Sequence, residues 1–224
     1  MLNYHEALKI VGGLSHPDKM PWYAWSISAE HCKTGAKLAQ IEGTTCNSCY
    51  ALKGRYMFPN VKEAQNRRLE ATSHPKWVEA FALVLNSLHS RTRKVKSNGE
   101  RENRFRWFDA GDLQSFEMLV AINEIARLTP QIDHWLPTRE FFIVDQFLSV
   151  HGAFVDNLVV RMSTAKVGIR PQWAPGVGNK TSFSTVGVND ATDIWQCEAK
   201  EKQRNRCLEC NKCWTNANVN YPLH

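Results

Sequence analysis

Strand-like and helical stretches alternate along residues 22–190, and this rhythm predicts an α/β protein. The expected form is a partial (β/α) barrel, or an open and mostly parallel sheet with flanking helices, ending in a cysteine-rich C-terminal metal-binding tail. Three observations carry the prediction. Short segments rich in β-branched and aromatic residues recur between amphipathic ones. Polar residues collect where each predicted strand ends. The seven cysteines fall into a group of three and a group of four. One domain is expected over 1–224, with an N-terminal helix in 1–21, the α/β core in 22–190 and the tail in 191–224.

Residues 3–11 pattern as a short helix closed by Gly12 and Gly13, since glycine is the usual residue just past a helix end. "WYAWSIS" (22–28) reads as the first strand, followed by a long irregular segment holding Gly35, Gly43 and three cysteines. Helical patterning returns in 61–73 and again in 75–90. There Trp77, Ala80, Phe81, Val84 and Leu88 share a face, and Pro75 suits the first turn. "RFRWFDAGD" (104–112), "DHWLPTR" (133–139), "NLVVRMST" (157–164) and "TSFSTVG" (181–187) are strand-like. Helices are expected between them at 114–128, with Phe116, Leu119, Val120 and Ile122 to bury, and at 140–150. Five strands are too few for a closed eight-stranded barrel.

Composition narrows the function classes. At 224 residues and 43% hydrophobic the chain can bury a sizeable core. No apolar run nears the roughly 18 residues of a membrane span. The first residues lack a secretory pattern, so a cytoplasmic setting with reduced thiols is expected, and clustered cysteines there point to metal ligands. The net charge is +6, with a pI near 9.0. "SRTRKVKSNGERENRFR" (90–106) carries seven Lys or Arg against two Glu, and "KEKQRNR" (200–206) four against one. Such runs neutralise phosphates, and eight tryptophans could stack on bases, so a nucleic acid or nucleotide is the expected partner. Either run alone also suits a solvated loop.

In parallel α/β proteins ligands bind at the carboxyl ends of the strands. Those ends hold Asp109, Gly111 and Asp112, then Thr138 and Arg139, then Ser163 and Thr164. Capping of the helix near Gln114 is the competing reading of Asp112. In the tail, Cys197, Cys207, Cys210 and Cys213 form a C-x9-C-x2-C-x2-C array, a complete thiolate shell for zinc or an iron–sulfur cluster. Cys32, Cys46 and Cys49 supply three thiolates and leave one metal position open, which marks a reactive site. Zinc completed by His31, or one cluster shared between both ends of the chain, are the alternatives. No H-E-x-x-H, P-loop or G-x-G-x-x-G pattern occurs, and "APGVGNK" (174–180) reads as a plain loop.

"CKTGAKLAQIEGTTCNSCYALKGRY", "RWFDAGDLQS", "LPTR", "VVRMS" and "CLECNKCW" together resemble the phage gene product 88 family over residues 22–214. Members of that family are similar to small radical S-adenosylmethionine proteins. The resemblance implies that Cys32, Cys46 and Cys49 ligate a [4Fe–4S] cluster whose open iron binds S-adenosylmethionine. Gly111 and Asp112 of the "AGD" segment would contact its amino group, Tyr50 would cover one side of the cluster, and Ser163 would line the pocket with Asp109 and Arg139. The tail would hold a second cluster, or zinc. Two departures stand out: the first cysteine spacer is thirteen residues, and Ser48 stands where an aromatic residue is usual. The implied activity is radical modification of a nucleic-acid base or nucleotide (DNA hypermodification), in the host cytoplasm. "DHWLPTR" also resembles a segment of tRNA-guanine transglycosylases, which implies Asp133 as nucleophile in a base exchange and zinc in the tail. A metal-stabilised nucleic-acid-binding protein without catalysis is the third expectation.

Overall fold

The computed structural model describes residues 2–171, 181–188, 192–200 and 202–223. The "APGVGNK" loop lies outside them. Helix α1 (Tyr4–Ile10) opens with a reciprocal cap: Glu6 N–H donates to the Asn3 side chain at 3.0 Å, and the Glu6 carboxylate accepts from Asn3 N–H. Then follow β1 (Ala24–Trp25), α2 (Thr34–Ala39), α3 (Pro59–Ala71), α4 (Trp77–Arg91), β2 (Arg104–Trp107), α5 (Phe116–Arg127), β3 (Asp133–Thr138), α6 (Phe141–His151), β4 (Leu158–Ser163), β5 (Ser182–Val186), β6 (Trp195–Gln196) and β7 (Val219–Tyr221). No helix among the described residues is long and apolar enough to cross a membrane.

The strands form one open, wholly parallel sheet in the order β1-β2-β3-β4-β5-β7-β6. The first five neighbours follow chain order, so successive crossovers step the same way across the sheet. Strand alternation then divides the side chains. Phe105, Trp107, Leu136, Leu158, Val160 and Met162 join residues of α1, α4, α5 and α6 in one core cluster. Its centre is aromatic, with Trp107 4.8 Å from Phe81 and 5.8 Å from Trp25 between ring centroids. Alternate positions, Arg104, Arg106, Trp135, Arg161 and Ser163, belong to the opposite face.

The cysteine-rich tail covers that opposite face. Arg161 is fully buried in the middle of β4. Its guanidinium donates to the carbonyls of Thr215 (2.8 Å), Lys212 (3.1 Å), Cys213 (3.3 Å), Ala217 and Phe183 (3.5 Å). Arg104 pairs with buried Glu102 at 2.7 Å and donates to the carbonyls of Cys210 (2.9 Å) and Leu208 (3.0 Å). Trp214 inserts beside Trp135 and donates its indole N–H to the Phe105 carbonyl at 2.8 Å. Residues 197–218 are thus a loop between two neighbouring strands, folded back onto the sheet. The cysteine-rich segment expected over 191–224 contains two short strands of the sheet, β6 and β7. Strands of two and three residues carry no readable period of two.

Three expectations change. The strand expected at 22–28 pairs only at Ala24–Trp25, because the partner backbone leaves the ladder at Phe108, whose φ is 50°. Trp22, Trp25, Trp77, Trp107, Trp135 and Trp214 are buried; Trp195 is exposed, under Lys212, and Trp173 lies outside the described residues. The 90–106 run is partly internal: besides Arg104, half-buried Arg106 lies 4.6 Å over the Trp135 ring and Lys94 donates to the Pro21 carbonyl at 2.5 Å.

Two outcomes test this packing. Buried His134 accepts from the Trp107 indole N–H at 3.2 Å and pairs with the Thr129 hydroxyl at 2.8 Å, and burial pushes its pKa down to about 3. The unfolded imidazole takes its proton below about 6.5, whereas the folded one does so only near 3. Stability therefore falls as the pH drops through that window, by about 1.4 kcal/mol per unit. Urea unfolding of His134→Asn and parent should show their stability gap narrowing from pH 7.5 to pH 5. Arg161→Met leaves several buried carbonyls without donors and should cost about 3 kcal/mol or more. Limited proteolysis should then cut first within 197–218.

Candidate functional site

A long loop, residues 26–58, lies across the carboxyl ends of the strands and carries Cys32, Cys46 and Cys49. Its seat begins at Gly111, just past β2. A Cβ there would stand 2.4 Å from Ile27 Cγ1 and 2.7 Å from the Ile27 carbonyl oxygen, and φ is +78°. Only glycine fits. Next to it, the Asp112 carboxylate accepts from the Thr138 hydroxyl (2.6 Å), Leu113 N–H (2.8 Å) and Arg139 N–H (2.9 Å). Burial pushes the Asp112 pKa up to about 6 against those three donors. Asp112 does not cap α5. Ser115 does, accepting from Met118 N–H at 3.2 Å.

The end of β3 then fastens the loop. The Glu140 carboxylate accepts from both the Thr34 N–H and the Thr34 hydroxyl at 2.9 Å, which pins the start of α2. The Arg139 guanidinium donates to the Thr45 hydroxyl at 2.8 Å. Thr45 in turn donates from its hydroxyl to the Thr164 carbonyl (3.0 Å) and from its N–H to that of Ala165 (2.9 Å), past the end of β4. On the other side the Tyr50 hydroxyl donates to the Asp109 carbonyl (2.6 Å), and Tyr56 donates to the Asp109 carboxylate (3.1 Å). Oδ1 of Asp109 and Nε of Arg139 are buried and keep no partner among the described residues.

These ties bring the three thiols together. The backbone at Gly35 passes so close that a Cβ would meet Cys32 Sγ and Cys46 Sγ, both at 3.6 Å. Cys32 and Cys49 pack with Ala29, Ala51, Ala110 and Tyr56. Burial, then Asp112, Cys49 and Cys46, push the Cys32 pKa up to about 12, while Arg139 opposes the shift. Cys46 is raised by burial and lowered by Arg139. The strand-end residues Gly111, Asp112 and Arg139 and the cysteine loop are therefore one constellation.

The tail cysteines form a second one. Cys197, Cys207, Cys210 and Cys213 all line a single small hollow. Burial and then Cys213 push the Cys207 pKa up to about 12, with Arg106 opposing. Cys213 is raised by burial, lowered by Arg161, and its sulfur lies 3.1 Å from the Tyr221 hydroxyl.

In neither group do three or more His, Cys, Asp or Glu side chains, among the described residues, converge as the ligands of one metal ion. A tetrahedral Zn²⁺ at about 2.3 Å from each sulfur requires sulfurs about 3.8 Å apart. An iron–sulfur cluster places each thiolate on a different iron and spreads them. Both groups are soft thiol donor sets, of the kind that holds zinc or an iron–sulfur cluster. His31 is exposed, with its Nε2 3.1 Å from the Asn66 amide oxygen on α3.

Other expected site residues lie apart. Ser163 is at the end of β4, its hydroxyl 3.5 Å from that of Ser184. Asp133 stands at the amino end of β3, beside Asn103, Arg104, Lys96 and Glu100, with burial raising its pKa. Five residues intervene between it and Arg139, about 20 Å along an extended strand. Sequence reasoning misses Thr34, Thr45, Tyr56 and Glu140. Only the position of Glu140, directly after a strand-end "TR" segment, hints at its role.

Glu140→Ala should free the start of α2, lowering stability by about 1–2 kcal/mol. Cys32 and Cys46 should react faster with a thiol reagent, while the alkylation rate of the tail cysteines stays unchanged.

No curated protein matches the chain, and no solved structure matches it. A family model described as Gene product 88 does match, over residues 5–216. The cysteine loop, the "AGD" turn, β3, β4 and all four tail cysteines fall inside the matched span, and the chain belongs to the gene product 88 family.

Proposed function

We propose that this protein is an iron–sulfur enzyme with its reactive centre at the carboxyl edge of the sheet, related in chemistry to the radical S-adenosylmethionine enzymes. One observation supports the reading: three cysteines of one pinned loop lie near one another and near Asp112 and Arg139 at the strand ends. Cys32, Cys46 and Cys49 would hold a [4Fe–4S] cluster with one position free for S-adenosylmethionine, and Cys197, Cys207, Cys210 and Cys213 a second cluster. When bound, the first cluster supplies one-electron reduction of its co-substrate.

The protein's own groups position and shield. Asp112 holds the β3 end in place through Thr138 and Arg139. The unpartnered Asp109 Oδ1 and Arg139 Nε offer an acceptor and a donor, which suit the ammonium and carboxylate of an amino-acid moiety. Tyr50 and Tyr56, with ring centroids 5.7 Å apart, wall off one side of the loop. A nucleic-acid base or nucleotide as substrate is supported by the +6 net charge. The transglycosylase reading gains no support, since Asp133 is at the opposite end of β3 from the thiol loop.

Anaerobic preparation and metal analysis test the proposal. The protein should be brown and contain iron and acid-labile sulfide. Cys32→Ala, Cys46→Ala and Cys49→Ala should each lose about half of the iron, and Cys207→Ala or Cys213→Ala the other half. Under reduction the parent should release 5′-deoxyadenosine from S-adenosylmethionine, and the Cys32, Cys46 and Cys49 variants should not. A colourless protein containing only zinc overturns the reading.

A further inference from the structure

Most large apolar side chains exposed in the first half of the chain cluster on the cysteine loop. Ile41, Tyr50, Leu52, Met57 and Phe58 are all exposed there, with Tyr50 at 54% and Phe58 at 55%. Exposed apolar side chains grouped in this way mark a contact surface. Its charge is one-signed: from Gly43 to Lys62 there is no Asp or Glu, while Lys53 and Arg55 are exposed between the two open aromatic rings. Two short 3-10 turns, Tyr50–Leu52 and Gly54–Met57, set this spacing. The Tyr50 hydroxyl is held by the Asp109 carbonyl at 2.6 Å, so its ring is fixed at the edge of the thiol centre.

Open aromatic faces interleaved with cations match a polyanion that offers flat bases. In a duplex those faces are stacked away, whereas a single strand presents them. We propose that residues 50–58 are the docking surface for single-stranded nucleic acid, with Tyr50 and Phe58 as stacking platforms and Lys53 and Arg55 on the phosphates. The surface adjoins the Cys32, Cys46 and Cys49 loop, so a bound strand lies beside the reactive centre. This deepens the iron–sulfur reading and rests on it for the chemistry done to the strand, but the docking itself needs no cluster.

The test is fluorescence anisotropy of the anaerobically purified full chain with a labelled mixed-sequence single strand and the matching duplex, over a salt series. The parent should bind the single strand about tenfold or more tighter than the duplex. Phe58→Ala should weaken single-strand binding by roughly 5- to 100-fold, with iron content and circular dichroism unchanged. Lys53→Ala with Arg55→Ala should reduce the slope of log K against log salt by about 1.4, roughly 0.7 for each lost phosphate contact. Equal affinity for duplex and single strand, parent-like binding by Phe58→Ala, or no binding by the parent at low salt overturns the proposal. The last two outcomes assign the patch to a protein partner instead. The metal reading fails separately, through a chain that holds no iron yet binds the strand as described.

Discussion

A guanidinium in the middle of a parallel sheet governs how the second face of this protein is built. Arg161 sits on β4 with no solvent contact and no carboxylate against it. A buried cation is tolerable only when most of its donors are met, and here backbone carbonyls of the 212–217 loop take both terminal nitrogens, while Nε keeps no partner among the described residues. The requirement runs in both directions, because those carbonyls belong to an irregular segment without a ladder of its own. Arg104 repeats the arrangement with the Leu208 and Cys210 carbonyls, its own charge offset by Glu102. Two arginines thus fold the 197–218 segment flat on the sheet and bring four distant cysteines to one hollow.

The carboxyl edge has a different hub. The Asp112 carboxylate accepts from the ends of β2 and β3 at once, through Leu113, Thr138 and Arg139. Fixing Arg139 and Glu140 in this way fixes the groups that hold Thr45 and Thr34, and so the two stretches of the cysteine loop. The cost is a carboxylate whose pKa is lifted to about 6 by burial. A helix cap could be had more cheaply, and Ser115 provides it. Asp112 is retained for a geometric task, the joining of the thiol loop to the sheet.

The sequence reveals the fold wherever local pattern and tertiary environment agree. Runs such as "NLVVRMST" are strand-like and short, bounded by turn residues, and "QSFEMLVAINEIARL" has a clean helical stripe; both form as expected. Cysteine spacing divides the seven thiols three and four, and the structure keeps them in those two neighbourhoods. What is not legible depends on contacts far apart in the chain. The alternation in "RFRW" places Arg104 and Arg106 on a covered face, yet a charge count assigns them to solvent, because nothing local shows that the tail will lie on them. The Glu140–Thr34 tie spans 106 positions and has no motif. Tryptophan is equally ambiguous until its neighbours are known, and six of the eight turn out to be packing residues.

The two thiol groups are also linked through charge. Burial pushes the Cys32 and Cys207 pKa values up to about 12, which makes bare thiolates costly in both places. Metal binding must remove those protons, so each site needs a positive group nearby to make the change tolerable. Arg139 opposes the shift at Cys32 and Cys46, Arg106 at Cys207 and Cys213, and Arg161 at Cys213. Arg106 faces both sides: its own pKa is raised by Tyr50, Asp109 and Tyr56 toward the first group and by Tyr221 toward the second, against burial, which lowers it. Three arginines on one sheet edge and face therefore serve two purposes. Arg139 and Arg161 anchor segments that carry the cysteines, and all three arginines lower the cost of a nearby thiolate.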